Sequence, residues 1–149
     1  MIRTMTIEDY DELVTMWKHT PGMGLRKLDD SREGLGLFLK RNPTSCFTAW
    51  EDGRLAGCIM GGHDGRRGYI YHTLVLPEYR HRGLGKALVD AVVKALQQEN
   101  VTRVDLVVLG DNETGKKFWE KLGWELQPSL CFYGKSITDR DNGRVKIEE

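Results

Sequence analysis

Apolar residues recur at helical spacing in the second half of the chain. From Leu84 to Leu96 they fall at positions i, i+3, i+4, i+7, i+8, i+11 and i+12, which is the pattern of a helix with one buried face. Two shorter helical patterns precede it and end near His19 and Asn42, and another follows over residues 112–122. The apolar periodicity therefore predicts about four helices.

Strand patterns occupy the stretch between the second and third helices. Three apolar or alternating runs lie there, at 45–50, 55–61 and 69–76. The pair Asp52-Gly53 between the first two runs is a hairpin signal, so we expect an antiparallel meander. The third run is nearly continuous in apolar and aromatic residues, which is typical of a strand covered on both faces.

Further strands are expected on both sides of the meander. Residues 1–5 form an edge-strand candidate, and short apolar runs at 124–126 and 130–137 predict a closing hairpin. Residues 101–109 follow the long helix, so their strand should run parallel to the last strand of the meander with a right-handed crossover.

The domain prediction divides the chain in two. Residues 1–137 are expected to form a single domain, because this length is enough to bury a core. Residues 138–149 are polar and charged with no apolar face, so they are predicted to form a frayed C-terminal tail.

Composition narrows the function classes. Lys plus Arg and Asp plus Glu number 22 each, and this balance argues against bulk binding to nucleic acid or to a membrane. The three cysteines are widely spaced with no C-x-x-C pair, so neither a metal site nor a disulfide framework is indicated. The sequence has no membrane-spanning apolar run and no signal-peptide pattern, and we expect a cytoplasmic protein.

The loop before the long helix carries the candidate chemistry. It reads RHRGLGK over residues 80–86, and its two glycines let backbone N–H groups approach a ligand at a helix N-terminus. Its basic residues add positive charge, as phosphate binding requires, although G-x-G alone is a weak signal. A P-loop is excluded because G-x-x-x-x-G-K-[ST] is absent, and Leu88 occupies the third glycine position of a dinucleotide fingerprint.

Two segments together resemble the GNAT superfamily of acetyl-CoA-dependent N-acetyltransferases, in its small stand-alone bacterial and archaeal form. Arg80, Gly83 and Gly85 match the family's [RQ]-x-x-G-x-[GA] loop. The stretch from Asn112 to Trp124 matches its N-x-x-A-x-x-[FL]-Y-x-x-x-G-[FY] segment. The resemblance implies a mixed α/β fold with a twisted, mostly antiparallel sheet of six to seven strands, about four flanking helices, and splayed parallel fourth and fifth strands.

The resemblance also implies ligands. Backbone N–H groups of residues 82–87 would bind the pyrophosphate of acetyl-CoA, and residues 73–75 would carry a bulge and pair with the pantetheine arm. Asn112 would bind the pantetheine or cap its helix, and the two roles can hold together. The implied cofactor-binding residues are Thr73, Leu74, Val75, Arg80, Arg82, Gly83, Leu84, Gly85, Lys86, Ala87, Asn112, Lys116 and Trp119. The partners would be acetyl-CoA and a small-molecule or protein amine, with no metal, nucleic acid or membrane. A homodimer is an open expectation, because the sequence does not give the oligomeric state.

Proton transfer is the least determined step. The family's tyrosine acid aligns with Trp119, whose indole N–H does not ionise usefully near neutral pH. Tyr133 and Tyr71 are candidate substitutes. His72 is a candidate general base, with a histidine packed in a sheet face as the alternative. Because neighbouring residues of a strand face opposite sides, Tyr71 and His72 are expected to be alternatives rather than partners.

The resemblance leads to a hypothesis for the reaction. The protein would be an N-acetyltransferase that moves acetyl from acetyl-CoA to a primary amine by direct attack on the thioester, so that no cysteine acts as a nucleophile. A non-catalytic acyl-CoA-binding sensor is the alternative, and Trp119 motivates it. A flavodoxin-like nucleotide binder would need a doubly wound parallel sheet, and the Asp52-Gly53 hairpin speaks against one.

Overall fold

Five strands form one sheet in sequence order in the computed structural model, which describes residues 1–146. The first four strands pair antiparallel, and the fourth pairs with the fifth in parallel. The strands are β1 (Ile2–Thr4), β2 (Cys46–Glu51), β3 (Arg54–His63), β4 (Gly68–Val75) and β5 (Val104–Asp105). The mixed fold with an antiparallel meander and a parallel crossover is confirmed.

Four α-helices flank the sheet, as the apolar periodicity predicted. They are α1 (Tyr10–Lys18), α2 (Arg32–Arg41), α3 (Leu84–Gln98) and α4 (Glu113–Lys121). A capping box of Thr6 and Asp9 opens the turn before α1, and the Ser31 side chain accepts the Gly34 N–H at the start of α2. None of the helices in the described part of the chain is long and apolar enough to cross a membrane.

Each face of the sheet carries its own core. On one face, α1 and α2 pack through Leu13, Trp17 and Leu35. On the other face, α3 packs through Leu88 and Val92. Burial of this apolar surface at roughly 25 cal/mol per Å² is the main stabilising term for such a layered domain.

The strand covered on both faces is β3 rather than β4. Eight consecutive residues of β3, from Leu55 to Gly62, are buried, whereas β4 alternates and leaves Tyr71 48% exposed. The prediction for the third strand of the meander is therefore wrong. The reason is that β4 borders an opening in the sheet, where aromatic residues lie at a surface instead of in a core.

The predicted closing hairpin is also absent among the described residues. No strand lies between residues 124 and 138, and the sheet has five strands instead of six to seven. Large apolar side chains of this stretch are exposed, Phe132 by 78% and Tyr133 by 90%. A strand pattern forms a strand only where a partner edge pairs with it, and residues 125–138 pair with none of the five strands.

The end of the chain is docked rather than frayed up to residue 145. Asn142 Oδ1 accepts the backbone N–H groups of Leu28 and Asp29 at 2.8 and 3.2 Å, and the Val145 N–H donates to the Leu25 carbonyl at 2.9 Å. Asn142, one of the polar residues that suggested fraying, instead satisfies backbone N–H groups of the α1–α2 loop. The separation of residues 138–149 from the domain stays a prediction, and residues 147–149 lie outside the described residues.

Candidate active site

A gap opens in the sheet where β4 and β5 part. The two strands pair only at Gly68 with Val104 and at Tyr69 with Asp105, while β4 continues to Val75. Beyond Tyr69, no ladder partner faces the β5 side of β4 in residues 1–146. The gap therefore exposes the backbone groups of β4, as expected for splayed parallel strands.

A bulge in β4 lies beside this gap. The register between β3 and β4 shifts so that Tyr71 and His72 together oppose the single residue Met60. The expected position was 73–75, which is two residues later. The extra residue changes which way the following side chains face.

The bulge places Tyr71 and His72 on the same face of the sheet. The Tyr71 ring packs edge-on against Phe38 of α2, with centroids 5.4 Å apart. The His72 ring packs in the same way against Trp17 of α1 at 4.9 Å. Because α1 and α2 cover one face, the expectation that the two residues face opposite sides of the sheet is wrong. A regular strand would have separated them, and the bulge interrupts its alternation.

His72 is paired with a carboxylate that sequence reasoning missed. Its Nε2 lies 2.6 Å from Oδ1 of Asp30, and the two side chains are only 13% and 11% exposed. Asp30 is itself held, because its Oδ2 accepts the Arg26 backbone N–H and its carbonyl accepts the Tyr10 hydroxyl, each at 2.8 Å. A carboxylate at Nε2 favours the tautomer with the proton on that nitrogen, so Nδ1 is the basic nitrogen.

The N-terminus of α3 carries uncapped backbone amides. Gly83 occupies the N-cap position with φ of 80°, no side chain caps the helix, and no acidic residue lies in its first turn. The first helical hydrogen bond runs from the Ala87 N–H to the Gly83 carbonyl at 3.0 Å. The preceding N–H groups have no acceptor within the helix, and their partial positive charge suits an anion.

The basic side chains of the loop brace it. Arg80 Nε donates to the Val75 carbonyl at 2.9 Å, which ties the loop to the end of β4. Lys86 Nζ lies 2.7 Å from Asp90 Oδ2 within α3, and Arg82 donates to a loop carbonyl at 3.3 Å. The positive charges of Arg80, Arg82 and Lys86 therefore lie near the uncapped amides, and their hydrogen bonds within the chain hold the loop in place.

Gly85 is required by packing. A Cβ atom there would lie 2.7 Å from Cε1 of Phe118, so only glycine lets α4 approach α3 at this point. Gly83 differs, because nothing lies within 4 Å of its Cβ position and its positive φ is the constraint. Glycine is therefore needed at the two positions for different reasons: close packing at Gly85 and a positive φ at Gly83.

Asn112 caps α4. Its Oδ1 accepts the Gly115 N–H at 3.0 Å, and a Cβ atom at Gly115 would lie 2.7 Å from its Nδ2. Gly115 stands where the family segment N-x-x-A has alanine, and the close approach of the Asn112 side chain explains the glycine. Lys116 pairs with Glu113 at 3.1 Å on the exposed side of the same turn. Whether Asn112 also contacts a ligand stays a prediction.

Two predicted residues lie at opposite extremes of burial. Trp119 is 8% exposed in the core under α3, with its ring 5.0 Å from that of Trp124. Tyr133 is 90% exposed. The remaining predicted residues lie at the end of β4 and in the first turn of α3, on either side of the loop: Thr73, Leu74, Val75, Leu84 and Ala87.

The buried thiols are not activated. Burial raises the pKa of Cys46 and of Cys58 to about 12 each, so both stay protonated near neutral pH. Cys58 also accepts the Trp17 indole N–H at 3.3 Å. Among residues 1–146, no group of three or more His, Cys, Asp or Glu side chains is placed to hold a metal ion.

Comparison with known proteins shows to which family the chain belongs. A sequence model of the acetyltransferase (GNAT) family matches residues 9–124. The chain belongs to the GNAT acetyltransferase family. An acetyltransferase of Sodalis glossinidius is 33% identical over 138 residues, which cover 93% of this chain and 96% of the relative. An acetyltransferase of Yersinia pestis is 30% identical over 140 residues, covering 94% and 98%.

Solved structures share the GNAT fold. The PaiA N-acetyltransferase of Thermoplasma acidophilum, in complex with coenzyme A, has a TM-score of 0.73 at 21% identity, covering 85% of this chain and 90% of that one. The enzyme AAC(6')-Iy, bound to the bisubstrate analogue CoA-S-monomethyl-acetylneamine, has a TM-score of 0.69 at 21% identity, covering 91% and 97%. The resemblance drawn from the two motifs is confirmed, and family membership assigns the chain to acyl transfer in general.

Thiol reactivity tests the state of the buried cysteines. In a Cys131→Ser variant only Cys46 and Cys58 remain, and their raised pKa together with their burial predicts negligible labelling by a thiol reagent at pH 8 in the folded protein. Both should label fully in denaturant. Rapid labelling of either residue without unfolding would contradict the assignment of both thiols to the core.

Proposed function

We propose that the protein is an N-acetyltransferase that moves acetyl from acetyl-CoA to a primary amine. The observation that carries the proposal is the gap between β4 and β5, with the uncapped N-terminus of α3 at its mouth and the His72–Asp30 pair beside it. The CoA and bisubstrate complexes of structural neighbours support this choice of donor and acceptor. We expect the protein to act in the cytoplasm.

The residues around the gap fit a CoA thioester. The backbone amides at residues 82–87 would hold the pyrophosphate, because they combine uncapped donors with a helix dipole and local positive charge. The unpaired edge of β4 would accept the pantetheine as an added strand. Bound there, acetyl-CoA supplies the activated carbonyl carbon that the amine attacks.

A backbone N–H of β4 would stabilise the developing oxyanion. Beyond Tyr69 the β5 side of β4 has no ladder partner among residues 1–146, so an N–H group on that side would be available to the thioester carbonyl. A well-placed donor of this type contributes about 3 kcal/mol to the transition state. The open edge of β4 would therefore supply electrostatic stabilisation without any ionisable group.

His72 would take the proton of the attacking amine at Nδ1. The amine nitrogen forms a bond to the acetyl carbon, the carbon–sulfur bond breaks, and the electron pair leaves with sulfur. The Asp30 carboxylate stabilises the imidazolium that forms, since it lies 2.6 Å from Nε2. The reaction balances when the CoA sulfur receives a proton and the amide product leaves.

Tyr71 is the better placed of the two tyrosine candidates for that last proton. It lies beside His72 on the same face, and burial together with the nearby Asp29 raises the pKa of its phenol. The phenol is therefore protonated and able to donate near neutral pH. Trp119 contributes packing in the core with α3.

Steady-state kinetics tests the proposed base. With acetyl-CoA and a panel of primary amines, the wild-type protein should release free thiol above the no-amine background. His72→Gln should lower kcat by about 10²–10⁴-fold at unchanged CoA affinity, because it removes the proton acceptor. Asp30→Asn should also lower kcat with intact binding, because it removes the charge that stabilises the imidazolium.

A matched histidine provides the control for this experiment. His63 lies in the hairpin turn at the far end of β3, where its Nδ1 accepts the Gly65 N–H. His63→Gln should retain the kcat of the wild type. Full activity of His72→Gln across the pH range would rule out its role as the base, and absence of thiol release with every amine would favour a binding module without turnover.

CoA affinity tests the loop. Gly83→Val should weaken CoA binding about tenfold or more, since a left-handed residue with a side chain costs about 1–2 kcal/mol and the loop must shift to relieve it. Gly85→Val should weaken CoA binding too, by displacing Phe118. Gly65→Val is the control, because Gly65 has φ of 91° and equally open space at a distant turn. Unchanged affinity in both loop variants would refute the pyrophosphate assignment.

A further inference from the structure

Residues 26–30 form a tight turn that carries Asp30, the partner of His72. Two backbone N–H groups bond within the turn. The Arg26 N–H donates to Oδ2 of Asp30 at 2.8 Å, and the Asp30 N–H donates to the Arg26 carbonyl at 3.1 Å. The three N–H groups between them, at residues 27–29, donate outside the turn. The turn therefore depends on another part of the chain for its remaining hydrogen bonds.

The end of the chain supplies the missing acceptors. Residues 141–145, here called the C-terminal strap, lie on the turn. Oδ1 of Asn142 accepts the Leu28 N–H at 2.8 Å and the Asp29 N–H at 3.2 Å. One side-chain oxygen thus binds two consecutive backbone donors, and the next residue in the chain is Asp30.

Further contacts set the strap in register with the turn. The Gly143 carbonyl accepts the Lys27 N–H at 3.0 Å. One residue before the turn, the Leu25 carbonyl accepts the Val145 N–H at 2.9 Å. The Lys27 ammonium also lies 2.6 Å from the Asp141 carboxylate, but this ion pair is exposed and contributes little energy. The two backbone hydrogen bonds therefore fix where the strap lies.

The turn in turn fixes the carboxylate against the imidazole. Oδ1 of Asp30 lies 2.6 Å from Nε2 of His72 in a largely buried contact. The Tyr10 hydroxyl donates to the Asp30 carbonyl at 2.8 Å and holds the same residue by its backbone. Hydrogen bonds weaken steeply when their geometry is distorted. The orientation of His72 consequently depends on the backbone position of Asp30, which depends on the strap.

We propose that Asn142 is a positioning residue for the acyl-transfer reaction. By binding the N–H groups of residues 28 and 29 it fixes the turn, and the turn presents the Asp30 carboxylate to Nε2 of His72. This role rests on the one proposed for His72 as the base, because the carboxylate keeps Nδ1 free to accept the proton. Asn142 does not bond to the imidazole in the described part of the chain, and it acts through the turn.

The acceptor oxygen is the part of the Asn142 side chain that this role requires. Oδ1 has two donors, whereas Nδ2 donates to none of residues 1–146. An aspartate at this position would present the same oxygen to the same donors. An alanine would leave both N–H groups without their acceptor, which costs more than losing a solvated contact. The two substitutions therefore separate the hydrogen bonds from the mere presence of a side chain.

Turnover and CoA affinity together test the role of Asn142. Asn142→Ala should lower kcat by about 10- to 100-fold, because slight misplacement of a positioned group costs up to about 10²-fold. Its CoA affinity should stay that of the wild type, since the strap lies on the α1–α2 loop and the proposed pyrophosphate site lies at the N-terminus of α3. Asn142→Asp should recover most of the lost kcat.

A matched acidic residue in the same stretch provides the control. Asp139 is exposed and forms no hydrogen bond among the described residues, so Asp139→Ala should keep the kcat of the wild type. Wild-type kcat in Asn142→Ala would refute the role of Asn142. Equal loss of kcat in Asn142→Ala and Asn142→Asp would refute it too, because the acceptor oxygen would then not be what matters.

The imidazole nitrogen signals of His72 test the same role without turnover. On the neutral imidazole of the wild type, nitrogen NMR should show the proton on Nε2 and an unprotonated Nδ1. Asn142→Ala should shift both signals toward a mixture of tautomers, and Asn142→Asp should restore them. Unchanged signals in Asn142→Ala would contradict the proposal. Because this readout needs no substrate, absence of thiol release with every amine would count against the proposed function alone.

Hydrogen exchange on the wild type keeps the role of Asn142 testable if Asn142→Ala does not fold. The backbone amides of Leu28 and Asp29 should exchange more slowly than amides without an acceptor, because each donates to Oδ1 of Asn142. Exchange of both amides at the rate of an unbonded amide would overturn the proposal, since the strap would then not hold the turn.

Discussion

The site depends on one irregularity in β4, the bulge at Tyr71 and His72. Without it the strand would alternate, and the two side chains would lie on opposite faces. With it, both reach the face covered by α1 and α2, where Asp30 is positioned to receive the imidazole at 2.6 Å. The bulge thus brings the His72–Asp30 pair to a strand whose edge toward β5 is open beyond Tyr69.

The site also depends on the separation of β4 from β5, which opens the gap beside the bulge. Two paired residues join the strands, and past Tyr69 the edge of β4 is open. After β4 ends at Val75, the chain continues into the loop that precedes α3, whose first N–H groups are uncapped. Arg80 Nε donates to the Val75 carbonyl at 2.9 Å, which ties the loop to the end of the strand. The loop before α3 is therefore connected directly to the strand that borders the gap.

How well the sequence predicted each feature depends on how far apart along the chain the interacting residues lie. The periodicity of α3 is local, and its helix and core face were predicted correctly. The contact of His72 with Asp30 joins residues 42 positions apart, and no local pattern signals it. The bulge was misplaced by two residues because its position depends on the register with β3. The prediction of a closing hairpin was wrong because the apolar pattern of residues 130–137 indicates a strand but does not specify the edge with which that strand pairs.

A crystal structure with CoA bound tests the central claim most directly, namely that the bulge and the gap together form the acyl-transfer site. The account predicts the pyrophosphate on the amides of residues 82–87, the pantetheine along the open edge of β4, and the thiol beside Tyr71 and His72. CoA bound outside the gap, or with its thiol on the α3 face of the sheet away from His72, would contradict it.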